Sequence, residues 1–344
     1  MAVNVTYLLG AGASFDVIPL VKSSGGGANP SISQDILSLS DKLKRRREDT
    51  TEDQNLFLNQ MVKDFEEIGN KARFFSSPDT YAKSLFLAGN QRSKIGILKR
   101  VLSFYITWKQ LKNPRLVDRR YIPFLAGILE ETNNIKIPDN IKILSWNYDF
   151  QLELALRHFK SELEDLSEIQ NHFKIIPTTK NLEQPSVVHL NGVAGMFKDH
   201  KGIYFNACEK SDVISEEDFL LKQSIEDFRT WSTKGHEIDD LLSFAWEIES
   251  HQRIKEAVKI MNETEILVVI GYSFPFFNRK IDRILFESLL TDSSGVKLDL
   301  KIYIQDPVIS DDHIKFLRQS FEIVDDIEIE PLRDVNQFFL PPEL

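Results

Sequence analysis

Five short strings in this 344-residue chain bring together glycine, amide, imidazole and hydroxyl groups that can serve ligand chemistry. The first is Gly10-Ala11-Gly12-Ala13-Ser14. Glycine lets the backbone turn sharply and approach a pyrophosphate, whose charge main-chain N–H groups at a helix start can meet. The usual dinucleotide fingerprint has a third glycine, where Phe15 stands, and an acidic residue about 20 positions on. Here that later region is a glycine-rich stretch, which argues against a hydride-transferring dehydrogenase. A tight turn with no ligand is the structural alternative. The second string is Ser145-Trp146-Asn147-Tyr148-Asp149. Asn147 would project from a strand's carboxyl end, where α/β sheets bind ligands; equally, Asn147 or Asp149 would cap the next helix. The third, Val187-Val188-His189-Leu190-Asn191-Gly192, offers an imidazole suited to base catalysis near neutral pH, or a structural histidine bonded to backbone. The fourth, Gly271-Tyr272-Ser273-Phe274, offers close backbone approach and a hydroxyl. The fifth, Tyr303-Ile304-Gln305-Asp306-Pro307, offers a place for adenine or its ribose. Ordinary turn chemistry accounts for either of these two.

The elements that must position these strings are short apolar runs, each ending in polar or glycine residues. They are Val3 to Leu9, Ile141 to Ser145, Ser186 to Leu190, Ile266 to Ile270 and Leu298 to Ile304. Most lack clean alternation, as strands covered on both faces of a parallel sheet do. Helical spacing follows in Leu152, Ala155, Leu156 and Phe159, and in Ile281, Ile284, Leu285 and Leu289. Strands alternating with helices predict an α/β fold with a Rossmann-like, doubly wound parallel sheet. In that fold all five strings fall on one edge of the sheet, and this convergence is stronger than any string alone. Residues 31–135 carry helical stripes such as Phe57, Met61, Phe65, Ile68 and Ala72, and no convincing strand. They are read as a helical insertion lobe, with 1–30 and 136–344 forming the sheet domain and a second helical stretch at 211–262. Ser23 to Pro30 is a loop by composition, placed to cover a ligand.

Composition narrows the function classes. The net charge of −10 gives a surface that does not attract nucleic acid or anionic membrane as a whole. The basic run Lys42-Leu43-Lys44-Arg45-Arg46-Arg47 is followed at once by Glu48 and Asp49, so a solvated helix face is the better reading than direct nucleic-acid binding. One cysteine, Cys208, cannot make an intramolecular disulfide or a multi-cysteine zinc site, and no metal is expected. With no basic leader and no apolar run of membrane-spanning length, a cytoplasmic protein is expected.

In order, the strings resemble the motifs of the Sir2 superfamily. Gly10-Ala-Gly-Ala-Ser14 is similar to that family's GAG-S opening, and Asn147 and Asp149 to its Q-N-x-D motif, with Trp146 in place of the glutamine. His189 resembles the histidine of its His-Gly motif with two residues inserted, and Gly271-Tyr-Ser-Phe274 its Gly-Thr-Ser turn. The likeness covers roughly 1–20 and 140–310. The four-cysteine zinc module of the sirtuin deacylases is missing, as is a recognisable peptide-binding segment. In these departures the chain is more similar to bacterial Sir2-like effectors of antiphage defence, which hydrolyse NAD.

The resemblance implies NAD as substrate and cleavage of its nicotinamide–ribose bond to give nicotinamide and ADP-ribose. Asn147 would orient water or the ribose hydroxyls, His189 would act as base, and Asp149 would orient Asn147 or the nicotinamide carboxamide. Gly10, Ala11, Gly12, Ala13 and Ser14 would cradle the pyrophosphate. Trp146, Gly271, Tyr272, Ser273, Phe274 and Asp306 would border the rest of the dinucleotide. It also implies a homo-oligomer, or a complex with a sensor or scaffold protein of the same defence system. An NAD-dependent deacylase or ADP-ribosyltransferase, and a non-catalytic module sensing NAD or ADP-ribose, are the alternatives.

Overall fold

The computed structural model describes residues 2–20, 31–45, 52–89, 91–111, 117–130, 134–163, 166–177, 184–199, 204–206, 225–226, 229, 238–248, 251–292, 295–297 and 299–344. Two compact units emerge, one of residues 1–14, 117–193 and 243–344, the other of 15–116 and 194–242.

Among the described residues of the first unit, a seven-stranded sheet runs in the order β12-β11-β8-β1-β2-β4-β3. The central strands are β1 (Val5–Leu9), β2 (Ile141–Ser145) and β8 (Ile266–Ile270). Outward lie β4 (Val187–His189) and β3 (Ile175–Ile176) on one side, with β11 (Lys301–Gln305) and β12 (Glu328–Leu332) on the other. Every pairing between them is parallel. The chain moves from β1 toward β4 and later from β8 toward β12. The order therefore reverses beside β1, where open α/β sheets form a crevice outside the strand ends.

Successive side chains of a strand face opposite sides of the sheet. Leu8 joins Leu144, Val188, Val269 and Ile304 in a core packed by residues of α8 (Gln252–Glu263), α9 (Arg279–Leu290) and α10 (Asp311–Phe321). Its neighbour Tyr7 points the other way and meets Phe124 of α5 (Tyr121–Ile128) edge-on, ring centroids 4.8 Å apart. Helices thus cover both faces, which is the doubly wound arrangement, and each such fully buried side chain contributes about 1.5–3 kcal/mol. Local sequence sets the helix ends. In α10 the Ser310 hydroxyl accepts from the His313 N–H, Asp311 and Asp312 lie in the first turn, and Glu322 closes the helix in the left-handed region.

The second unit holds α1 (Ile32–Arg45), α2 (Glu52–Phe74), α3 (Pro78–Leu87) and α4 (Arg92–Leu111). It also holds an antiparallel sheet of β5 (Met196–Asp199), β6 (Tyr204–Asn206) and β7 (Ile238–Asp240). Asp35 of α1 accepts hydrogen bonds from Tyr105 Oη at 2.7 Å and Lys109 Nζ at 2.6 Å, tying α1 to α4. The basic run is helical through Arg45 and engaged there: Lys44 pairs with Asp41 and Glu66, and Lys42 lies over the Trp108 ring.

Several boundaries differ from the sequence reading. Helix α5 and residues 117–120 belong with the sheet, because α5 buries Tyr121, Phe124, Leu125 and Ile128. Residues 194–242 belong with the helical unit. Among the described residues of 211–262, expected to be helical, 225–226, 229 and α8 are helical, while β7 is a strand and Ala245–Glu247 forms a short 3-10 turn. The loop at 23–30, Cys208 and residues 211–224 lie outside the described residues. No helix among the described residues is long and apolar enough to cross a membrane.

Candidate active site

Parallel register aligns the carboxyl ends of five strands. Leu9 is paired with Ser145 on one side and Ile270 on the other, Ser145 with His189, and Ile270 with Gln305. All five chemistry-bearing strings therefore leave the sheet from one row. Position along that row separates them: β8 stands between β1 and β11, so Asp306 is two strands removed from the glycine turn.

The first string forms a 3-10 turn, Ala11–Ser14, rather than opening a long helix. Its glycines have a structural cause. A Cβ on Gly12 would lie 2.8 Å from the Gly271 Cα, and one on Gly271, at φ +59°, 2.5 Å from the Gly12 carbonyl carbon. Two strand-end turns close on each other, and only glycine permits it. The Gly12 N–H donates to the Gly271 carbonyl at 2.9 Å, the Gly10 N–H to Ile270 at 3.0 Å and the Ala13 N–H to Gly10 at 2.8 Å. Three amides expected to face a pyrophosphate are thus engaged within the chain. From the far side, Arg120 Nη2 donates to the Gly12 and Ala13 carbonyls at 2.9 and 3.1 Å. The same guanidinium makes a buried pair with Asp118, Nη2 to Oδ2 at 2.6 Å and Nε to Oδ1 at 2.8 Å.

Ser14 ends the turn at the centre of a polar cluster. Its hydroxyl donates to Asp149 Oδ1 at 3.2 Å, so the Tyr121 hydroxyl, 3.3 Å away, is left to donate to Ser14. Asn147 Nδ2 donates to Ser14 Oγ at 3.4 Å, and the Asn147 N–H to Ser145 Oγ at 3.1 Å. The Gln151 N–H donates to Asp149 Oδ1 at 3.1 Å. Burial pushes the Asp149 carboxyl up to about 6, against the lowering effect of the Gln151 N–H, His189 and Ser14. That carboxyl changes charge close to neutral pH.

His189 lies one strand further along the row. Its Nε2 is 3.0 Å from Glu153 Oε1, and Gln170 Nε2 donates to the same oxygen at 3.1 Å. Burial disfavours a charged ring, but the adjacent Glu153 carboxylate outweighs it, with Asp149 and the Asn147 main chain adding, so His189 is raised above its ordinary value. Glu153 moves the opposite way: burial would raise it, and His189 and Gln170 pull it below the usual carboxylate range. The two directions agree: the Glu153 carboxylate stays ionised and favours protonation of the ring it faces. Nε2 carries a proton toward Glu153, while Nδ1 has no hydrogen-bond partner.

The structure thus brings Ser14, Asn147, Asp149 and His189 into one polar group. It is closed, with Asn147 and Asp149 each 6% exposed and His189 1%. Other expected residues go elsewhere. Trp146, Tyr272 and Phe274 are members of the hydrophobic core, with Trp146 stacked on Tyr272 at 6.0 Å. Ser273 is exposed. Asp306 Oδ1 accepts from the Val308 N–H at 2.9 Å, the turn chemistry that was its structural alternative. A cavity of about 620 Å³ lies at the ends of β11 and β12, lined by Gln305, Leu332 and Arg333 among others and not by Asp306.

Sequence reading missed Glu153, Gln170, Asp118 and Arg120. The available signal for Glu153 was a lone carboxylate in the apolar run Gln151-Leu-Glu-Leu-Ala-Leu156, all of which is buried as α6. Gln170 sits in the same manner on α7 (Leu166–His172), and Arg120 had no local signal.

No protein-family model and no curated protein matches the chain. Solved structures do. One is a Sir2 in complex with an inhibitor, 2′-O-acetyl-ADP-ribose and a deacetylated p53 peptide, at 12% identity and TM-score 0.35, covering 96% of this chain and 87% of that one. Another is described as Sir2, p53 peptide and NAD+, at 11% identity and TM-score 0.34 with the same coverage. A third, described by the structural basis of sirtuin substrate affinity, stands at 14% identity and TM-score 0.34 over 96% and 88%.

Proposed function

We propose that the chain hydrolyses NAD at the nicotinamide–ribose bond, giving nicotinamide and ADP-ribose. The observation that carries this reading is the single group formed by Ser14, Asn147, Asp149 and the Glu153-bound His189. It lies at the strand ends where the order of the sheet reverses. The order of these residues along the chain supports it through the motif resemblance.

The chemistry suits them. The glycosidic bond breaks through an oxocarbenium-like transition state. Nicotinamide is already cationic in NAD, so the electrons of the C1′–N bond neutralise it as it leaves and no strong acid is needed. Water adds to C1′, and the proton it loses passes to the bare Nδ1 of a neutral His189. Asn147 orients that water or the ribose hydroxyls. Asp149, near its charge transition, places negative charge close to the developing cation. Ser14 links the two. The remainder of the dinucleotide lies along the glycine turns.

Because the reacting side chains are closed from solvent, turnover awaits an opening step. That fits an effector of antiphage defence restrained until a second protein or assembly releases it. The test supplies NAD with and without an acylated peptide: a hydrolase releases nicotinamide without peptide, a deacylase only with it, and a sensing module binds NAD with no turnover.

A further inference from the structure

Glu153 and Gln170 stand behind His189, outside every motif by which the site was recognised. Gln170 on α7 donates to Glu153 Oε1, and the same oxygen accepts from His189 Nε2 at 3.0 Å. Glu153 and Gln170 are wholly buried and His189 is 1% exposed, so water does not compete for these bonds. An ionised carboxylate only accepts, which requires the ring proton on Nε2 and leaves a lone pair on Nδ1 of the neutral ring. Nδ1 is buried and without a hydrogen-bond partner. The Nδ1 edge of the ring lies beside the Asn147 main chain without a full hydrogen bond to it, at the strand end that carries the site.

We propose that Glu153, steadied by Gln170, is the positioning residue for His189, fixing the ring through Nε2 so that Nδ1 faces the reaction as its proton acceptor. The inference rests on the NAD-hydrolase reading and specifies the base within it. The charged groups facing the ring are Glu153 on α6 and Asp149 just before it; from α7 the group behind Glu153 is the neutral Gln170, and from the segment after β2 it is the Asn147 main chain.

The test uses the full chain with isotope-labelled histidines. The His189 signal is assigned by its loss in His189→Gln, then followed over pH in wild type, Glu153→Gln and Gln170→Leu. The wild-type midpoint is expected above the ordinary 6.5. Glu153→Gln should lower it by at least tenfold in proton affinity, and Gln170→Leu in the same direction by less. Nicotinamide release is measured alongside. The acidic limb of kcat/KM should follow the His189 midpoint in each variant, kcat should fall at least tenfold in Glu153→Gln, and KM should change little. Glu153→Asp, which keeps the charge, should restore part of the limb. An unchanged midpoint in Glu153→Gln and Gln170→Leu, or a wild-type midpoint below 6.5, overturns the proposal. If the midpoints move as expected and no variant or wild type releases nicotinamide, the positioning contact stands as chemistry and the proposed reaction fails.

Discussion

The two nitrogens of His189 meet different surroundings, and this decides which substitutions are informative. His189→Ala would leave Glu153 as a buried carboxylate with its cation gone, a loss that costs about 3–5 kcal/mol. His189→Ala should lower stability and activity together, and the double change His189→Gln with Glu153→Gln should recover most of the stability but none of the turnover. Urea denaturation reads the first effect and nicotinamide release the second. Asp149 supplies a pH prediction. Burial holds its folded value at about 6, above the ordinary 3.8, so its contribution to stability is full below about pH 4 and lost as pH rises through 6. Relative to Asp149→Asn, wild type should lose roughly 3 kcal/mol between pH 4 and pH 7.5. Parallel stability curves for the two proteins would contradict this. Asn147 and Asp149 could be singled out in the sequence because they follow an apolar run, and His189 because it is a polar residue at the end of one. Glu153 was not, since a carboxylate between leucines acquires its meaning only from the histidine that β4 brings to it, 36 residues on.

Among the elements, the glycine turns after β1 and β8 are mutually dependent. Gly271→Ala combines a left-handed φ with a Cβ 2.5 Å from Gly12. A destabilisation of about 2–5 kcal/mol is expected, from roughly 1–2 for the backbone and 1–3 for the overlap. Gly295 is also at positive φ but has open space around it, so Gly295→Ala should cost only the backbone share. Thermal or chemical unfolding of the two variants separates the causes; equal losses would contradict the close-packing account. The strands β1, β2, β4, β8 and β11 were readable because buried parallel strands are short apolar runs. The two residues of β3 are too few to form a pattern, and β12 alternates Glu328, Ile329 and Glu330 as an edge strand that reads like a polar loop. In the small antiparallel sheet β5 and β6 are only four and three residues long, and β7 pairs with β5 from a distant part of the chain, which local periodicity does not show.

For the whole molecule, an α/β sheet flanked by helices was expected and is found, while the division into units follows packing rather than the first break in strand pattern. The polar group of Asn147, Asp149 and His189 is sealed from solvent, so the proposed reaction requires an opening step that admits the substrate. If NAD binds the native state alone, saturation to a hundred times Kd should stabilise the chain by about 2.7 kcal/mol, and nicotinamide by itself should give less. The most direct measurement is release of nicotinamide and ADP-ribose from NAD by the full chain, alone and with the protein encoded beside it, for wild type and Asn147→Ala. Wild type is predicted to release the two products in equal amounts without any acylated peptide, and Asn147→Ala to lose at least a hundredfold in rate while keeping its unfolding free energy in urea within about 1 kcal/mol of wild type. Equal rates in the two proteins, or product formed only when acylated peptide is supplied, would contradict the account.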